Sequence, residues 1–479
     1  MVPPPVVVVV FDAMRKDVLP AYGGKSRTPN LDSFCAEASV YKGCVAPAPW
    51  TIPSHASIFT GRFPSEHGVH ESREMGLPET LGLMNNVEEL TLAEELKKKG
   101  YQTVGLPANS TLTLRKGFDR GFDWFKAYNR RLVTLEELAT MQQAFEKGRG
   151  KAGTVLDLLY RGQFAELRRL YSIYRRMRKG RKIANFPKSK GGNFLLETLS
   201  EIKLSPPFFL FVNFMETHEP YLPFEQKHSN LGPFNSVHNA DLYEYRKIPV
   251  QVMGDLKQAY SAAVSQADEY FGRLIGMLKK DGLYRDSLII ATSDHGQEFK
   301  EHGFYTHGTF LHDEIIDVPL IVKYPGGRRP AVEDGCQNLC DVRSLVMKTA
   351  DGDDAIVMRT TEETFSESFG VVHKPPAVSD PALKAKFEEV RQKVDRPRKA
   401  VFKGGYKLAV DWNTKEVEEF SLNGERIDPS SQRNLVDSLL NDLLVFEKTV
   451  IRSAPRAATM TADEEAMISE RLRDLGYLS

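Results

Sequence analysis

The chain has 479 residues, and 64 Lys plus Arg balance 64 Asp plus Glu, so the formal net charge is zero. That balance excludes a whole-chain polycation built to coat nucleic acid and an acidic, disordered solubiliser. With 41% apolar and 27% charged residues, the composition is that of a globular protein with room for a large core and more than one structural unit. The β-branched run Val6–Phe11 predicts a buried first strand ending at Asp12. It is six residues long with no Lys or Arg before it, unlike a signal peptide, and no window approaches the ~20 apolar residues of a membrane span. The expectation is a soluble, cytoplasmic protein. Cys35, Cys44, Cys336 and Cys340 show no CxxC spacing and are expected as free thiols.

Further along, Pro49 and Pro53 stiffen the chain around Thr51, and Ser54–Phe59 can begin a helix with Thr51 near its positive end. Thr91–Lys99 is a predicted helix, with Glu94–Lys98 and Glu95–Lys99 at i,i+4 spacing and Gly100 as its stop. Tyr101–Leu106 predicts a strand. Residues 126 to about 200 then interrupt the alternation with a helical, basic segment. Phe208–Phe214 is an almost wholly apolar strand. Val264, Ala267, Phe271, Leu274 and Leu278 form one helical stripe, and Ser287–Thr292 and Val318–Lys323 are further strands. Pro375, Pro376 and Pro381 predict a loop, and Asp395–Arg398 a boundary. Ala400–Gly405, Tyr406–Asp411 and Val417–Leu422 are strand-rich, and Thr461–Leu475 reads as a helix with Thr461 and Glu464 in capping-box spacing.

Apolar strands alternating with helices indicate a parallel sheet covered on both faces, whose sites lie beyond the carboxyl ends of its strands. Asp12, Glu216 with His218, and Asp294 with His295 each sit just past a predicted strand. Asp294-His295-Gly296 offers two adjacent metal ligands at a turn, or else an Asp cap with a hydrogen-bonded His. Thr51 could be an activated nucleophile or a helix cap.

These residues carry a resemblance. Val8–Asp17, Thr28–Asp32, Thr51-Ile52-Pro53-Ser54-His55, Phe59–Arg62, Thr91–Glu94, Phe214–Tyr221, Ser293–Gly296, Glu301–Gly303, His307-Gly308 and Val318–Leu320 follow in order through residues 6–330. With the tail stretches Gly405–Leu408 and Leu472–Leu478, they make the chain similar to the sulfatase family of the alkaline phosphatase superfamily. The resemblance implies an α/β fold with a central, mostly parallel sheet and helices on both faces. It implies a catalytic domain over 1–390 with the insertion at 126–200, and an α+β subdomain over 398–479 with a small antiparallel sheet and a terminal helix. It also implies one divalent metal ion (Ca, Mn, Mg or Zn) held by Asp12, Asp294 and His295 and completed by Thr51.

Typical sulfatases carry a Cys, converted to formylglycine, at position 51, and an Arg at 55. This chain has Thr51 and His55, with Ala13 in place of a second Asp and His295 in place of an Asn. Threonine cannot become formylglycine, so these departures point toward phosphorus esters. A phosphoryl-threonine can be opened by in-line attack of water, whereas a sulfated threonine lacks the hemiacetal route of a formylglycine hydrate. The implied activity is ester hydrolysis or transfer on a small anionic phosphate or phosphonate ester. A sulfuric ester hydrolase working without formylglycine, or an idle binding module, are the alternatives. Thr51 attacks; His218 and His307 contact the anionic oxygens or protonate the leaving group; Asn109 donates to a nonbridging oxygen or serves a turn. Two-metal relatives use an Asp-x-x-x-His pair, but Phe214 stands four residues before His218, so one metal is expected. Arg62, His67 and His302 read as structural supports.

Residues 161–190 hold eleven Lys or Arg and one acid, a net +10 that the rest of the chain offsets. Arg161, Arg168, Arg175 and Lys182 recur every seven residues, opposite Phe164, Leu167, Tyr171, Tyr174 and Met177. The segment is a solvated helix packed on the body, a surface for an anionic membrane or glycan, or a lid over the metal site that steers an anionic substrate; no specific nucleic acid is expected. Homo-oligomer formation is left open.

Overall fold

Five successive valines and a phenylalanine leave no polar face, so the strand they form must be covered on both sides. In the computed structural model β1 (Val6–Phe11) is the centre of the main sheet and fully buried. The structure describes residues 3–70, 84–112, 117–128, 190–219, 221, 250–353, 356–370 and 380–450. The basic segment 161–189 and the tail 461–475 lie outside them.

The strands follow as β2 (Ser39–Tyr41), β3 (Cys44–Val45), β4 (Gln102–Pro107), β5 (Trp124–Phe125), β6 (Phe208–Phe214) and β7 (Leu288–Ser293). The short pair β8 (Glu298–Phe299) and β9 (Tyr305–Thr306) comes next, then β10 (Leu320–Lys323) and β11 (Gln337–Asn338). Seven of these form one sheet in the order β2-β10-β7-β1-β6-β4-β5. The run from β7 to β5 is parallel, while β10 pairs antiparallel with both β7 and β2. The expected fold class, mostly parallel α/β, stands, with an antiparallel edge that the apolar pattern of Leu320–Lys323 does not reveal.

Alternation along β1 divides the core. Val6, Val8 and Val10 pack with Trp50, Phe59 and Leu92 on one face; Val7, Val9 and Phe11 pack with Phe34, Phe271 and Leu274 on the other. Helices Thr51–Thr60, Leu92–Lys98 and Asp341–Ala350 serve the first face, and Pro29–Glu37, Gly192–Ser200 and Val250–Lys280 the second. The helix at Leu92 starts as its sequence predicts: Thr91 accepts from the Glu94 N–H, and Glu94 accepts from the Thr91 N–H. Gly100 follows at φ +84°, a left-handed conformation that glycine adopts without strain.

The antiparallel sheet comprises β12 (Glu363–Ser368), β13 (Arg398–Lys403), β14 (Tyr406–Asp411), β15 (Val417–Leu422) and β16 (Glu425–Arg426), in that order. It therefore recruits a strand well before the expected start at 398. Pro381 does not mark a loop. It begins helix Pro381–Val394, where the lost N–H costs nothing and the Asp380 side chain caps Ala382. Helix Arg433–Thr449 closes this sheet through Leu439 and Leu443. Both sheets belong to one compact unit. All four cysteines are free thiols. No described helix is long and apolar enough to cross a membrane.

Candidate active site

Register decides what meets at the edge of the sheet. Phe11 of β1 is level with Phe214 of β6 and with Ser293 of β7. The residues just past these strands are therefore side by side, including Asp12, His218 and Asp294-His295. The Asp12 N–H still bonds to the Phe214 carbonyl at 2.8 Å. Ala13 then turns at φ +60°, which costs an alanine about 1–3 kcal/mol, and gives its N–H to Asp294 Oδ1 at 3.1 Å. The strained turn joins the two carboxylate-bearing loops.

Thr51 comes from a helix start. Trp50 is the N-cap of helix Thr51–Thr60, so Thr51 is the first helical residue and its hydroxyl is not used as a cap. Thr51 Oγ1 lies 3.3 Å from His295 Nε2 and 3.4 Å from Asn109 Nδ2. Asn109, past β4, gives its amide N–H to Asp12 Oδ2 at 2.7 Å, so in this structure that group is engaged with a carboxylate. Asn213, the lone polar residue of β6, supports the same oxygen at 3.3 Å and accepts the Asn109 backbone N–H at 2.9 Å.

The site is buried. Asp12, Thr51, Asp294 and His295 are all essentially buried. Among the described residues no Lys or Arg pairs with Asp12 or Asp294, and Asp12 Oδ1 and Asp294 Oδ2 have no hydrogen-bond partner. Burial, and then the charge of Asp12, push the Asp294 carboxyl well above its ordinary range. Burial likewise pulls His295 down to about 4 despite the neighbouring Asp12, so the ring is neutral. His295 Nδ1–H donates to the Gly296 carbonyl at 2.8 Å, leaving the lone pair on Nε2 beside Thr51.

Asp12, Asp294 and His295 offer ligand atoms within 4.8 Å of one another. Two orphaned carboxylate oxygens, a neutral imidazole and a hydroxyl suit a divalent cation, which would offset the cost of two buried negative charges. The residues present therefore fit the metal that the sequence led one to expect.

His218 and His307 are brought into the same cavity. The His307 ring stacks on His295 at 4.6 Å between centroids, and His218 meets His307 edge-on at 5.0 Å. Glu219 and Gln297, which sequence reasoning did not single out, lie against them, and Gln297 accepts His307 Nδ1–H at 2.7 Å. His55, one turn after Thr51, donates Nδ1–H to the Thr51 carbonyl at 2.8 Å and lies 3.5 Å from Asp294. The signals were slight: an Asn inside an apolar strand, and polar neighbours of recognised histidines. The expected supports are local: His67, whose Nδ1 accepts the Val69 N–H at 2.9 Å, donates from Nε2 to Ser57 at 3.0 Å, Arg62 bonds to Glu66 at 3.2 Å, and His302 pairs with Glu314 at 2.9 Å.

A buried hydroxyl, paired carboxylates and three imidazoles thus meet at the strand ends of a covered α/β sheet. The family model described as Sulfatase matches residues 4–352. The chain belongs to the sulfatase family. It is 23% identical over 373 residues to an N-acetylglucosamine-6-O-sulfatase of Bacteroides thetaiotaomicron, covering 67% of this chain and 63% of that one. An arylsulfatase of Clostridium perfringens is also 23% identical, over 72% of this chain and 75% of its own length. In fold it is similar to the phosphonate monoester hydrolase of Silicibacter pomeroyi, with a TM-score of 0.61 at 15% identity over 96% of this chain and 98% of that one.

Proposed function

We propose that the chain hydrolyses small anionic phosphorus esters, phosphate or phosphonate, by way of a covalent intermediate on Thr51. The observation that carries this reading is the Thr51 hydroxyl, buried at a helix N-terminus between His295 and Asn109 and beside the Asp12–Asp294 pair. Asp12, Asp294 and His295, with the Thr51 oxygen, would hold one divalent cation. When bound, that cation lowers the pKa of the Thr51 hydroxyl and neutralises charge on the ester.

Asn109 positions Asp12 against Thr51, and the helix N-terminus favours negative charge at Oγ1. Thr51 Oγ1 attacks phosphorus, the bond to the alcohol oxygen breaks, and the alcohol departs with a proton. Water then attacks phosphorus in line, releasing the acid and restoring Thr51. His307, stacked on His295, and His218, edge-on to His307, would line the wall that faces the ester.

The second reading is a sulfate ester, favoured by the family and by the activities named for its curated relatives. Thr51 opposes it, because expulsion of sulfate from a threonine ester lacks the aldehyde-hydrate route. A panel of phosphomonoester, phosphodiester, phosphonate ester and sulfate ester substrates with Mn, Mg, Ca and Zn decides between them. Turnover of phosphorus esters above sulfate is expected, together with a Thr51 adduct seen by mass spectrometry in quenched reactions. Thr51→Ala should abolish turnover while the protein stays folded; a retained rate would remove Thr51 from the chemistry.

A further inference from the structure

One member of the basic run 161–190 is turned away from water. Lys190, its last residue, is only 9% exposed. A buried ammonium needs partners. Its Nζ donates to the Glu216 carbonyl at 3.1 Å and to the His218 carbonyl, and it lies 5.3 Å from the centre of the Tyr221 ring. All three partners belong to the loop after β6, the loop that carries His218.

The residues that follow Lys190 deliver it there. Gly192 opens helix Gly192–Ser200, whose Leu195, Leu196 and Leu199 are buried in the second face of the core. A side chain at Gly192 would drive its Cβ into the Tyr270 ring, so only glycine lets the backbone pass so close. The Gly192 N–H then reaches Glu216 Oε1 at 3.1 Å. Burial raises the Glu216 carboxyl, and the Gly192 N–H and then the Lys190 charge act against it. Lys190 holds the backbone of this loop and Gly192 holds its side chain.

Other bonds fasten the first half of the loop. Thr217 Oγ1 donates to the Asp12 carbonyl at 2.6 Å, and the His218 N–H to the Met215 carbonyl at 3.3 Å. The carbonyl that Lys190 takes lies further on, in the planar peptide that joins His218 to Glu219. The direction of that peptide sets where the Glu219 carbonyl lies. The Glu219 carbonyl, an obligate acceptor, takes His218 Nδ1–H at 2.7 Å. The ring held in this way meets His307 edge-on at 5.0 Å.

We propose that Lys190 is a positioning residue for His218: its ammonium clamps the Glu216 and His218 carbonyls and, through the His218–Glu219 peptide, fixes the imidazole in the site. The clamp itself is a matter of geometry. Its effect on turnover rests on the phosphorus-ester reading of the site.

Two measurements on the full chain test it, and the first needs no turnover. With nitrogen-15 in the histidine rings, NMR reports each ring's tautomer and surroundings, and the His218 signals are those lost in His218→Ala. Lys190→Met removes the donors at similar length. It should shift or broaden the His218 signals and leave those of His67 and His302 in place. Lys190→Gln is read by the same criteria if Lys190→Met does not fold. Unchanged His218 signals overturn the clamp. Movement of all the histidine signals would make Lys190 a support of the whole fold and overturns it too.

The second measurement is a double-mutant cycle with a phosphonate ester. Loss of hydrogen bonds from a charged group predicts that Lys190→Met lowers kcat by roughly tenfold, with a much smaller change in KM. In a His218→Ala background the same replacement should cost nothing further. Equal losses in both backgrounds mean that Lys190 does not act through His218, and overturn the inference. An undiminished kcat in Lys190→Met, where His218→Ala is slow, overturns it as well and leaves the role of His218 standing. If no phosphorus ester is turned over and the His218 signals still move in Lys190→Met, the clamp stands and the active-site reading falls.

Discussion

Asn109 shows how one side chain ties the nucleophile to the carboxylates. Its Nδ2 group reaches Asp12 Oδ2 at 2.7 Å and Thr51 Oγ1 at 3.4 Å. A hydrogen bond to a charged group contributes about 1.5–3 kcal/mol, so Asn109→Ala should slow turnover by roughly ten- to a hundredfold. Steady-state kinetics with a phosphonate ester would show it, and an unchanged rate would make Asn109 a turn residue only. Thr51→Ser keeps the hydroxyl and should retain measurable turnover where Thr51→Ala does not. At this scale the sequence was readable in part. Asp12, Thr51, Asp294, His295, His218 and His307 stood out because each is a reactive type at a strand end or helix start. Glu219, Gln297 and Asn213 did not, since their importance lies in what each touches in space: His307 for Glu219 and Gln297, Asp12 and Asn109 for Asn213.

Strands and helices were legible where one physical signal dominated. The valine run became β1, the apolar segment Phe208–Phe214 became β6, and Thr91 with Glu94 formed the expected cap. The antiparallel direction of β10 was not legible, because four buried apolar residues look alike in either direction. Pro381 misled because a proline suits both a loop and the first turn of a helix. Phe211 on β6 packs against Phe59 at 4.9 Å and edge-on to His55 at 5.8 Å. Phe211→Ala should therefore cost about 3–5 kcal/mol of stability, read as a lower denaturant midpoint at unchanged slope.

In the C-terminal sheet, Asp411 ends β14 and accepts from the Asn413 and Thr414 N–H groups at 2.8 and 3.2 Å and from Arg396 at 3.0 Å. Burial alone would raise its carboxyl, but these donors outweigh burial and hold it below the ordinary 3.8. A depressed carboxyl stabilises the fold above its ordinary value and loses that contribution as pH falls through the folded value. Asp411→Asn should melt below the wild type at pH 7, with the gap closing below pH 3.8. A gap independent of pH would sink the assignment.

For the whole molecule, two buried carboxylates with no Lys or Arg partner among the described residues make the fold dependent on what fills the site. A cation at a hundred times its dissociation constant adds about 2.7 kcal/mol to the stability of the folded state. Chelator should therefore lower the melting temperature, Mn or Zn should restore it, and Asp294→Asn should blunt both shifts. Charge is also unevenly placed. The +10 of residues 161–190 predicts salt-sensitive binding to anionic vesicles, and deletion of 161–190 should remove it. Equal binding by the two proteins would end that reading.

By itself, the sequence determined which elements exist and which chemistry they can carry. Strand and helix periodicity, turn residues and reactive side chains are local properties, and local physics reads them. It also set the decisive departure from the family's usual pattern, Thr51 in place of the modified cysteine. Only the tertiary structure decided which of these groups meet. The parallel register of β1, β6 and β7 levels Asp12 with Asp294 and His295, although nearly three hundred residues separate them. That convergence buries the carboxylates together, sets the tautomers of three histidines through backbone and amide oxygens, and places Glu219 between His218 and His307. Those are distances in space, and a linear chain does not carry them until it folds.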